Sequence, residues 1–92
     1  MADSYNTVSV ASTAGGSVII ANLTARRNIL IKNVGSVIVY IGWDSSVTAS
    51  NGFPINPQGS LELSGGFVSR KPAVYGIAAS GTGEVRYLLW EY

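Results

Sequence analysis

Apolar residues along this chain come in short runs, often alternating with polar ones, and Gly, Asn, Ser and Pro separate the runs. No window places apolar residues at i, i+3, i+4 and i+7 between helix caps, so the pattern predicts strands and no helix. Strands are predicted over residues 7–11, 17–23, 28–33, 37–43, 60–64, 73–79 and 84–92. Within them Val8 and Val10 share a face, Ile29 and Ile31 oppose Asn28, Leu30 and Lys32, and Leu61 and Leu63 oppose Glu62. Asn51-Gly52 is a turn signal, because both residue types tolerate positive φ. Asn56-Pro57-Gln58-Gly59 has Asn, Pro and Gly at the first, second and fourth positions of a type I turn. "SGTG" at residues 80–83 reads as a hairpin loop. About seven or eight short strands with turns between them predict an all-β, single-domain antiparallel β-sandwich or jelly roll. Residues 1–92 form that one domain, and residues 1–6 are expected to be a loose N-terminal arm.

Two stretches break the alternation. Val37-Ile38-Val39-Tyr40-Ile41 is apolar on both faces, and so is Tyr87-Leu88-Leu89-Trp90. A strand in a small sandwich has one face to bury in the inter-sheet core, so a second apolar face must meet something else. An exposed apolar stripe of that kind marks an interaction surface; a loop folded over the outer face is the alternative. The interface candidates are Val37, Val39, Tyr40, Trp43, Tyr87, Leu88, Leu89, Trp90 and Tyr92. Trp90 and Tyr92, or Trp43, are the expected anchors, since Trp and Tyr carry much of the binding energy at interfaces.

Composition sharpens this expectation. A chain of 92 residues holds one core, and with no Cys and no His it has neither disulfides nor an ordinary zinc site to support it. Good packing and self-association are what remain. Charged residues make up 12% of the chain and the net charge is +1, without the clustered basic excess of a nucleic-acid binder. The basic pairs Arg26-Arg27 and Arg70-Lys71 read as solvated or interface-rim charge. No apolar run is long enough to span a membrane as a helix, and the N-terminus lacks the pattern of a signal peptide. The expected site of synthesis is therefore the cytosol, with retention there or release by a route other than ordinary secretion.

No catalytic constellation emerges. The acids are Asp3, Asp44, Glu62, Glu84 and Glu91, and nothing in their spacing brings two together on one bond. A serine triad would lack its His. "SGTG" lacks the Gly-Lys-Ser and following helix of a phosphate loop. Asp44-Ser45-Ser46 lacks the acid spacing of a calcium loop. The expectation is a protein without enzymatic activity, cofactor or metal. The one alternative chemistry is glycan binding at Trp43, Asp44 and Asn51, because sugar sites combine an exposed ring with nearby Asp and Asn. Against it, a Trp that ends an apolar strand commonly caps a core.

From Ala25 to Leu89 the chain resembles small bacteriophage virion structural proteins. The resemblance rests on Arg26-Arg27 opening a strand that ends Ile31-Lys32-Asn33, and on "VYIG" at residues 39–42. It continues through Val47-Thr48, "NGFPI" at 51–55, Pro57, "SLEL" at 60–63, and the aromatic-plus-"AASGTGEVR" hairpin over residues 75–86. "GWDSS" and the aromatic tail "LLWEY" fall outside the shared pattern. The resemblance implies a sandwich or jelly-roll head decoration (cement) protein, a homotrimer seated on the phage major capsid protein and located in the virion. From its weak, balanced charge and lack of a long apolar run, the chain is expected to bind neither nucleic acid nor membrane. A minor tail or fibre component has the same logic.

Overall fold

The computed structural model describes residues 4–13, 16–20, 27–63 and 73–91. Eight strands follow one another: β1 (Ser4–Ala11), β2 (Ser17–Ile20), β3 (Arg27–Asn33), β4 (Val39–Gly42), β5 (Phe53–Ile55), β6 (Ser60–Leu63), β7 (Val74–Ala78) and β8 (Thr82–Glu91). They form two four-stranded sheets, one in the order β1-β8-β3-β6 and the other β2-β7-β4-β5. Every pairing is antiparallel. That order is a jelly roll: most connections cross from one sheet to the other, so strands distant in sequence become neighbours. No helix occurs among the described residues.

The faces follow the alternation in the sequence. Ile29 and Ile31 of β3, Val10 of β1 and Val85 of β8 are fully buried, as are Val39 of β4 and Val74 of β7. β-Branched side chains dominate because they pack well on a pleated surface. Leu30 is half-buried and Lys32 exposed, as the period of two requires. Leu61 and Leu63 pack on the core while Glu62 faces solvent.

Several elements differ from the sequence expectation. β1 begins at Ser4, so Ser4, Asn6 and the residue between them, expected in a loose arm, pair with Leu89, Tyr87 and Leu88. β5 was not expected; it is three residues long and holds a proline, so its pairing with β4 carries it rather than its own pattern. The Asn56–Gly59 turn is type II, not type I: Gly59 N–H donates to Asn56 C=O at 2.8 Å, but Gln58 has φ of 69°. β8 begins at Thr82, which confines the hairpin turn to residues 79–81, where Gly81 takes φ of 56°.

Among the described residues, one polar side chain is completely buried, that of Asn33 at the end of β3. Its Nδ2 donates to Val37 C=O at 2.7 Å and to Ile55 C=O at 2.9 Å, and its Oδ1 accepts from Gly35 N–H at 3.0 Å. Its main chain accepts from Gln58 N–H and donates to Gly59 C=O. Burial without these partners would cost several kcal/mol. With them, Asn33 ties the bend after β3 to the end of β5 in the opposite sheet.

Candidate functional site

The two doubly apolar stretches end in different surroundings. After β4 the chain runs through residues 43–52 and folds over the outer face of the β2-β7-β4-β5 sheet. Val47 is buried there against Gly42: a Cβ at Gly42 would lie 2.7 Å from Val47 Cβ. A Cβ at Gly52 would lie 2.7 Å from Tyr40 Cβ. Both glycines are therefore needed where this loop meets the sheet. The loop holds itself in shape. Asp44 Oδ1 accepts from Ser46 N–H at 2.9 Å, and Asn51 Oδ1 accepts from Thr48 N–H at 2.7 Å. Asn51 Nδ2 donates to Ser46 C=O, and Thr48 Oγ1 accepts from the N–H groups of Ser50 and Asn51.

The interface candidates in the first stretch accordingly divide. Val39 is 0% exposed and belongs to the inter-sheet core, so it has no surface to offer a partner. Val37 precedes β4 and is half-buried against that core. Tyr40 points to the outer face, but the loop's Gly52 lies against it. Trp43 is half-buried and packs on the core cluster, as a strand-ending Trp commonly does.

The second stretch has no such cover among the described residues. Tyr87 and Leu89 of β8 turn inward and pack on the core, whereas Leu88 and Trp90 lie on the outer face of the β1-β8-β3-β6 sheet. Leu88 is 45% exposed and stands opposite half-buried Leu30 of β3, and half-buried Trp90 stands opposite Asn28. One row along, Arg86 and Lys32 are cross-strand neighbours and both exposed. Tyr92 lies outside the described residues. Of the nine candidates, Leu88 and Trp90 remain as an apolar surface on this face.

Trp43, Asp44 and Asn51, all from the loop after β4, line one cleft of about 500 Å³. Its walls come from both sheets: Ile41 of β4, Phe53 of β5, and Leu61 and Leu63 of β6. Phe53 is 58% exposed at its edge. The lining is mainly apolar, and Asp44 and Asn51 at its rim already bind loop amides. Sequence reasoning grouped the three polar-and-ring residues but missed Phe53 and the β6 leucines. Their contribution depends on β5 and β6 closing the same edge of the sandwich.

Among the described residues, no three His, Cys, Asp or Glu side chains gather as a metal site. No protein-family model matches the chain, and no curated protein is significantly similar to it.

Proposed function

We propose that this chain is a non-enzymatic virion structural protein that decorates an assembled phage head as a homo-oligomer, with a trimer expected. The observation that carries the reading is the open apolar row Leu30–Leu88, with Trp90 beside it, on the outer face of the β1-β8-β3-β6 sheet. A small domain without disulfides gains stability by covering such a row with another protein surface. The jelly-roll order and the resemblance of residues 25–89 to phage virion proteins support the same reading. Its mechanism is adhesion: a subunit that prefers the assembled shell over free capsid protein stabilises the shell by mass action. Several linked copies multiply a modest single-site affinity.

Light scattering across a dilution series tests the oligomer, and imaging of labelled protein on particles tests its location. A trimer that survives dilution and binds capsid lattice supports the reading. A stable monomer that ignores capsids would sink it.

A second reading, glycan adhesion, is favoured by the convergence of Trp43, Asp44 and Asn51 on one cleft beside the exposed Phe53 ring. Titrating sugars while following Trp fluorescence tests it; a saturable response lost in Trp43→Phe would favour it over decoration.

A further inference from the structure

Four strands end the two sheets, and three of those edges are blunted. Along β1, Asn6 Oδ1 accepts from Thr7 N–H at 2.8 Å and Ser17 Oγ accepts from Ala11 N–H at 3.1 Å. β5 has three residues with Pro54 in the middle, which removes a donor. β2 has four residues and a register break between Val18 and Ile20. Devices of this kind suppress strand addition.

β6 is as short as β2, but it has no side-chain cap, proline or register break among the described residues. It reads Ser60-Leu61-Glu62-Leu63, without proline or bulge, in regular register with β3. The direction of its free groups follows from β3. Asn33 turns both its N–H and its C=O toward the β6 side, where they meet Gly59 and Gln58. Alternation gives Ile31 and Ile29 the same sense, so Leu61 and Leu63 form the hydrogen-bonded pairs with β3. The main-chain N–H and C=O of Glu62 therefore point away from the sheet. The Glu62 side chain is exposed on the outer face, and Leu61 and Leu63 reach the other way to line the cleft.

We propose that the outer edge of β6, with the cleft beside it, accepts an extended segment of a partner polypeptide as an added antiparallel strand. The segment has the pattern apolar–cation–apolar. Its central Lys or Arg exchanges two main-chain hydrogen bonds with Glu62 and sets its charge opposite the Glu62 carboxylate. Its two flanking apolar side chains fall on the opposite face and enter the cleft beside Leu61 and Leu63. Backbone pairing supplies affinity, and the alternation with its single charge supplies selectivity. The neighbouring edges, being blunted, leave β6 as the place for such a strand to add.

The test uses the full chain and a ten-residue, end-capped peptide with Leu-Lys-Leu at its centre and Ser and Thr elsewhere, followed by amide chemical shifts. Expected are saturable shifts at Ser60, Leu61, Glu62 and Leu63 and at the Trp43 indole. Replacing the peptide's central Lys with Glu should weaken binding about fivefold or more, and Glu62→Lys should reverse that preference. N-methylation of the central amide, which removes one main-chain donor, should weaken the original peptide further. Equal binding of a phase-shifted Lys-Leu-Lys peptide, or of the N-methylated one, would overturn the proposal. So would shifts at Trp43 with free sugars and none with peptide. A β6 edge already occupied by a second copy, seen as concentration-dependent shifts there without peptide, would overturn it too.

Discussion

The side-chain amide of Asn33 donates to the main-chain carbonyl of Ile55, 22 residues along the chain and in the opposite sheet, at 2.9 Å. Together with the bond to Val37 C=O, this joins the two layers through a single buried polar group. Asn33→Ala would leave both carbonyls without their donor in a dry site. The expected loss is about 2–4 kcal/mol of unfolding free energy, read by urea denaturation. A loss under about 0.5 kcal/mol would show that the amide does not hold the layers together.

Gln58 occupies the third position of a type II turn at φ of 69°, a conformation that favours glycine. Gln58→Gly should relieve that strain and stabilise the protein by about 0.5–1 kcal/mol, a rise of several degrees in Tm. Gln58→Val should do the opposite, because a β-branched side chain crowds the same conformation.

Val47 fits where Gly42 and Gly52 leave room for it. Gly42→Ala should cost about 1–3 kcal/mol through overpacking. Val47→Ala alone should also destabilise, by leaving a cavity. Combined, the two changes should cost less than their sum, since Val47 Cγ2, 2.8 Å from the new methyl position, is removed, while Val47 Cβ at 2.7 Å stays and keeps the relief partial. Strict additivity in a thermal-denaturation cycle would refute the contact.

Leu88 lies outward on a strand whose neighbours Tyr87 and Leu89 face the core. Leu88→Glu should therefore leave the fold intact and disperse any oligomer formed through that face, measured as native mass alongside circular dichroism. Removing residues 88–92 is a different experiment, because Leu89 packs on the core and β8 is an interior strand; unfolding is the expected result.

Asn6 and Ser17 occupy main-chain donors on the β1 edge. Valine at both positions would free those donors and raise local β-propensity. The double variant should aggregate faster than the parent at equal concentration, while its midpoint in urea shifts little. Unchanged aggregation would mean that other features protect this edge.

The alternation of Ile29 and Ile31 against Lys32 was enough to assign the faces of β3, and Leu61 and Leu63 against Glu62 did the same for β6. Both strands have one buried face and one wet face, the case in which period-two reasoning is strongest. β5 was illegible because Phe53-Pro54-Ile55 is too short to show a period and carries a residue that argues against a strand. Val47 was hidden for a different reason: it lies among Ser, Thr and Asn, and its burial depends on glycines five residues to either side of it. Trp43, Asp44 and Asn51 could be grouped because they share one loop, and the fold keeps them on one cleft. The apolar walls that make their cleft came from strands that only the fold brings near. Asn33 stood inside the quoted Ile-Lys-Asn pattern, but nothing local distinguishes a buried amide that bridges sheets from a turn-forming one.

The pairing of β1 with β8, in which Ser4 stands opposite Leu89, has a kinetic consequence. Among the described residues β8 is the sheet neighbour of β1, so the earliest of the eight strands waits for the latest of them before it can pair. Closing so long a loop costs entropy before any contact repays it, which places this domain among the slow folders for its size. During that wait the β1 strand is without its neighbour on either side, and the side-chain caps on one edge become a safeguard for the nascent chain as well as for the finished protein.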